Sequence, residues 1–211
     1  MDTIINIICS LPAVLAAFTI HEYAHAKTAD ALGDPTPRMT GRVTLDPFAH
    51  IDWIGLICLL VAGFGWGKPV RVNSSYFKKP RRDSVLVAVA GPLSNLMLAL
   101  LSGVVYVILL RFYIRMGAAG EVLMRIVLPF VSWNTLLFAF NIIPVPPLDG
   151  YKVIKGFSKH PSNSFFRFMD KYGTLVLMVL FMTGMTSRFI SLISSIVNLP
   201  MMTLAGLVLH Y

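Results

Sequence analysis

The stretch IINIICSLPAVLAAFTIHEYAHAKTAD, Ile4 to Asp30, carries no charge over its first 17 residues and then presents His21, Glu22 and His25 within five positions. As a helix, those first residues rise about 26 Å, most of a hydrocarbon layer about 30 Å thick. The titratable groups therefore fall inside the apolar layer or at its edge. Ionisable residues are costly there and are functional candidates by default.

On a helix, positions four apart lie on one face about one turn apart, so the imidazoles of His21 and His25 can reach a single ion. Glu22 projects about 100° round the axis. It is poorly placed to bind that ion but well placed to reach a water held there. This is the logic of H-E-x-x-H, with two zinc ligands and one general base. The plain alternative is a pair of surface histidines on an ordinary helix, and the long uncharged run before them opposes it.

The composition agrees with a membrane setting. The 211 residues are 56% hydrophobic and 13% charged, with a mean hydropathy of +0.72. Soluble domains carry about 25% charged residues. The length suits one domain, 1–211, and the chain reads as an all-α polytopic membrane protein. Its net charge of +8 follows from the positive-inside rule rather than from nucleic-acid binding, since no base-reading module is present. Cys9 and Cys58 stand in apolar runs without metal-type spacing and read as small buried hydrophobes. Met1 and Asp2 stand where a cleavable signal would have basic residues.

Spans are expected at Ile4 to about Ala31, Ser84 to about Leu110, Val122 to about Ile143 and, shorter, Gly173 to about Ser187. Ile51–Phe64 is short for a span, and Phe189–Leu209 is interrupted at Asn198–Pro200. If Ile51–Phe64 re-enters without crossing, the loops at 27–50, 65–83 and 151–171 share one side. Fourteen of the 18 Lys and Arg then share it too. That side is expected to be cytoplasmic, with the N-terminus outside. Gly41–Asp46 and Lys68–Asn73 alternate in period two with β-branched residues and suggest a small membrane-associated β element.

A catalytic zinc needs a third protein ligand and an open position. Asp149, in NIIPVPPLDGYK (Asn141–Lys152), is the only carboxylate between Glu121 and Asp170. Three prolines before it fix φ, remove backbone donors and set a rigid turn, which suits a carboxylate that must point inward. The alternative is a capping Asp at a helix stop. In VAGPLSNLMLA, Val89–Ala99, Gly91 and Pro92 interrupt a span and Asn95 follows one turn on. An amide in hydrocarbon is costly unless hydrogen-bonded. Asn95 either donates to an oxyanion or substrate backbone or packs helices together.

HEYAH in a span, then AGPLSN, then NIIPVPPLDG, in this order, resembles the site-2 protease family of intramembrane zinc metalloproteases. GFGWGKPVRVN is similar to the segment before the second span in the compact bacterial and archaeal branch, which lacks a PDZ domain. The resemblance covers about Thr19 to Tyr151. It implies a three-helix catalytic core, one Zn2+ held by His21, His25 and Asp149, and Glu22 as catalytic base. It implies that Asn95 and Asn141 lie near the substrate or the developing oxyanion. It also implies a transmembrane protein substrate cut within or near its span, in a prokaryotic cell membrane, at a site toward the cytoplasmic face. His50, in FAHID, matches a histidine frequent in this branch. Two rival readings are a metal-handling transporter using the same histidines and a catalytically idle scaffold. The near absence of acidic residues from the other spans opposes the first, and the intact Glu22 opposes the second.

Overall fold

A computed structural model of the chain describes residues 2–62 and 65–209. Among them run nine α-helices: α1 (Asp2–Ala31), α2 (Thr36–Met39), α3 (Pro47–His50), α4 (Trp53–Ala62), α5 (Pro80–Met116), α6 (Ala118–Asn141), α7 (Asp149–Phe157), α8 (Ser164–Met182) and α9 (Met185–Leu209). A 3₁₀ turn occupies Ser74–Tyr76. Four helices are long and apolar enough to cross a bilayer: Ile5–Ala31, Pro80–Tyr113, Ala118–Asn141 and Met185–Val208. The protein is an all-α polytopic membrane protein.

The helices α1, α5 and α6 pack against one another at the centre. The buried row of α1 is Ala13, Ala17, His21, His25 and Ala29, at a spacing of four. Small side chains at three of these five positions let a neighbouring backbone approach closely. The histidines thus stand in a tight seam rather than on an open face.

The segment from Ile51 does not cross. Its helix, α4, rises only about 15 Å, half the hydrocarbon thickness. Ile51 then pairs with Gly67 in an isolated antiparallel bridge, so the chain returns to the level at which it left. Residues 63–64, at the end of the expected re-entrant segment, lie outside the described residues. The basic loops gather at one end of the bundle. The Asn73 N–H donates to Asp34 Oδ2 at 2.7 Å, Phe77 packs with Ala29 and Val87, and Gly156 of α7 lies against Val85 of α5.

The structure corrects the expected β element. Gly41–Asp46 and Lys68–Asn73 form no strand, and no strand is present among the described residues. Period-two alternation encodes extended backbone, but a strand also needs a partner edge. The N–H groups of 68–73 go elsewhere: Lys68 to His50 O at 2.8 Å, Val70 to Glu22 Oε2 at 2.9 Å and Asn73 to Asp34. Residues 41–46 curl onto α2 and α3, with Arg42 N–H donating to Pro37 O at 2.8 Å.

The fourth helix of crossing length differs from the one expected. Gly173–Ser187 is not among the described helices long and apolar enough to cross. Arg167, Asp170 and Lys171 charge the first half of α8, and the uncharged 172–182 rises only about 16 Å. Gly184, at φ 71°, then breaks the helix in a conformation other residues rarely adopt. The fourth helix long and apolar enough is α9, continuous through Pro200. Asn198, read as an interruption, instead accepts from Thr135 Oγ1 of α6 at 3.3 Å.

Candidate metal centre

Three elements bring three ligand atoms together. Helix α1 supplies His21 and His25, and the first turn of α7 supplies Asp149. Helix α5 closes behind the imidazoles at Gly91. A Cβ there would overlap His25 Nε2 and lie 2.7 Å from His21 Cε1. No side chain fits at that position, which accounts for the glycine in AGPLSN.

Each imidazole is held from behind. His21 Nδ1 lies 2.6 Å from Asn95 Oδ1. The Asn95 amide nitrogen donates to Ala17 O at 3.0 Å and to Asn134 Oδ1 at 2.8 Å, so its oxygen is the atom that faces His21. His25 Nδ1 lies 2.7 Å from Val87 O. Both partners are acceptors only, so both Nδ1 atoms carry the proton. Both Nε2 atoms then present lone pairs.

Those lone pairs converge with a third. His21 Nε2 and His25 Nε2 are 3.1 Å apart, and Asp149 Oδ2 stands 3.2 Å from the first and 3.0 Å from the second. Three acceptors in a buried triangle repel one another unless a cation sits among them. A tetrahedral zinc with bonds of about 2.0–2.1 Å would place its ligands about 3.3 Å apart, close to the triangle observed. The donor set fits zinc, and the three residues form a group that can hold a metal ion. On its other side the Asp149 carboxylate lies 2.8 Å from the Lys152 ammonium, a cation that favours its charged form. Its place in the first turn of α7 also favours negative charge.

The other candidates have partners of their own. Glu22 is half-buried, and its Oε2 accepts from Val70 N–H of the extended segment. Asn95 touches His21, and both of its N–H groups are already engaged, so in this arrangement it supports the ligand and offers no donor to an oxyanion. Asn141 donates to Leu137 O on its own helix at 3.0 Å and makes no hydrogen bond to the triangle. His50 is fully buried. Its Nε2 meets Thr44 O at 2.8 Å, apart from the ligand group.

Sequence reasoning missed Asn134, whose amide nitrogen donates to Phe130 O at 2.8 Å while its oxygen completes the Asn95 network. The rule that singled out Asn95, an amide within a span, applies equally to Asn134. It also missed Lys152, whose Nζ lies 2.8 Å from Asp149 Oδ1. The spacing of three on a helix was the available signal.

The chain is similar to "Putative zinc metalloprotease YwhC" of Bacillus subtilis, at 41% identity over 175 residues, 82% of this chain and 80% of that protein. It is similar to "Putative zinc metalloprotease Rip2" of Mycobacterium tuberculosis, at 30% identity over 80% of this chain and 64% of that one. A third relative is "Putative zinc metalloprotease MJ0611" of Methanocaldococcus jannaschii, at 30% identity over 72% of each chain. No family model and no solved structure matches the chain. The relatives point to a zinc metalloprotease, and the triangle fits the zinc. With this identity spread across four fifths of both chains, the protein belongs to the site-2 protease family of zinc metalloproteases.

Proposed function

We propose that the chain is an intramembrane zinc metalloendopeptidase that hydrolyses peptide bonds within or near the transmembrane segments of other membrane proteins. His21, His25 and Asp149 hold the zinc, and Glu22 is the general base. The observation that carries this reading is the convergence of three acceptor atoms, Nε2, Nε2 and Oδ2, within 3.2 Å of one another in the seam of an apolar bundle.

When bound, zinc supplies a Lewis acid that polarises a carbonyl and acidifies water. The remaining work falls to the chain. Asn95 and the Val87 carbonyl fix the ring orientations, a role that typically changes metal affinity by 10–100-fold. Val70 N–H holds Oε2 of Glu22, which leaves Oε1 to take a proton from water and return it to the departing amine. The α1–α5 seam excludes bulk solvent. A substrate helix must unwind locally, because its carbonyls are otherwise closed in its own hydrogen bonds. The basic loops beside the centre support a cytoplasmic-facing site.

The test is cleavage of a single-span model protein in vesicles, with zinc content measured alongside. Glu22→Gln is expected to retain one zinc per chain and to lose roughly 10²–10⁴-fold in cleavage rate. Cleavage at the unaltered rate by this variant would remove Glu22 from its role.

A further inference from the structure

The two oxygens of Asp149 face different partners. The side chain is only 5% exposed. Oδ2 meets the two imidazoles, while Oδ1 lies 2.8 Å from Lys152 Nζ, its one hydrogen-bond partner among the described residues. The helix dipole does not call for a lysine here. Lys152 stands in the first turn of α7, where the helix dipole disfavours a cation by about 0.3–1 kcal/mol. Its side chain is 58% exposed and otherwise free to extend into solvent. An ion pair between two exposed groups would contribute little, but here the carboxylate is buried, and a buried oxygen without a donor is destabilising.

We infer that Lys152 is a positioning residue that makes Asp149 a one-oxygen ligand and so keeps a coordination position open at the metal. This rests on the proposed ligand set. Carboxylates coordinate through one oxygen or through both, and a catalytic zinc site requires three protein ligands with a position left for water or substrate. With its ammonium on Oδ1, Lys152 withdraws that oxygen from the metal. Without it, Oδ1 is buried, unpartnered and one bond angle away from coordinating, and the carboxylate closes on the ion with both oxygens.

Cobalt substitution reads this directly, because four-coordinate Co2+ absorbs visible light far more strongly than five- or six-coordinate Co2+. The full chain in detergent is loaded with Co2+ in place of zinc. Wild type and Lys152→Arg are expected to share one intense visible spectrum. Lys152→Ala and Lys152→Met, changes at an exposed side chain, are expected to lose several-fold in band intensity. Lys159→Ala, which removes an equivalent charge away from the centre, leaves the spectrum unchanged. A cobalt spectrum for Lys152→Ala and Lys152→Met identical to wild type overturns the inference while leaving the ligand set standing. An intense spectrum that persists in His21→Ala instead overturns the ligand set itself, and the inference with it.

Discussion

Two regions lie against α1 and are held there by opposite means. On one side, the candidate metal centre joins α1 to α5 through Nδ1 to Asn95 and Nδ1 to Val87 O and brings Nε2 to Asp149 of α7, so that its side chains are dictated atom by atom. On the other, the segment from Lys68 to Asn73 is held by its backbone, with N–H groups donated to His50 O, Glu22 and Asp34. The side chains of that segment are largely free; Val72 is 38% exposed. The first region is sensitive to which atoms stand at each position. The second is sensitive to the path of the chain and to the carboxylates that receive it. Glu22 belongs to both, since it follows a ligand in sequence and anchors the extended segment in space.

The largest contrast is expected from changing one side chain in each region. Gly91→Ala places a Cβ on the imidazoles, and its zinc content is expected to fall below about a tenth of one per chain. A truncation in the extended segment, Val72→Ala, keeps full zinc. Metal analysis of the purified variants decides this, and equal zinc content would erase the distinction.

A smaller effect is expected behind the ligands. Asn95→Ala leaves His21 Nδ1, Ala17 O and Asn134 Oδ1 without their partner. Zinc affinity is expected to weaken about 10–100-fold in a chelator competition. Asn134→Ala should weaken it less, and the double variant should fall short of the sum because the two amides share one network. Strict additivity would show that the chain from Asn134 to His21 carries no coupling.

On the backbone-held side, Asp34 is fully buried and accepts from Thr36 N–H at 3.0 Å and from Asn73 N–H at 2.7 Å. Asp34→Ala is expected to cost about 1–3 kcal/mol of stability and to speed hydrogen exchange at Asn73 while zinc stays bound. Loss of zinc in this variant would mean that the two regions are one cooperative unit.

The smallest effect lies at the edge of α7. The Lys155 ammonium, then the Tyr151 hydroxyl, hold the Asp170 carboxyl below the usual carboxylate range. A depressed carboxyl contributes stability above its unfolded value, about pH 3.9, and loses it as pH falls through the folded value. The Asp170 side chain is 45% exposed, so solvent screening limits the contribution to under about 1 kcal/mol. Asp170→Asn should flatten the acid limb of the stability profile below about pH 4. An unchanged limb would show that this tether adds nothing to the seating of Asp149.

The same division explains what the sequence disclosed. His21 and His25 were legible because helical spacing is local and fixed. Asp149 was legible because three prolines and an otherwise carboxylate-free stretch isolate it. Asn95 was visible as an anomaly in hydrocarbon, but its partner was not, since the choice between substrate and His21 depends on how α1 meets α5. Residues 68–73 announced extended backbone without announcing a partner, and the partners were the His50 carbonyl and the carboxylates of Glu22 and Asp34 rather than another strand. The α8–α9 break was placed a few residues late, near Ser187 rather than at Gly184, because hydropathy alone does not register the turn that a single glycine makes in an apolar run.

The central claim is tested most directly by X-ray absorption at the zinc edge of the purified chain. The account predicts a light-atom shell at about 2.0–2.1 Å with the outer scattering of two imidazoles and no sulfur. A spectrum with sulfur scattering, one without imidazole scattering, or a protein that carries no zinc would contradict it.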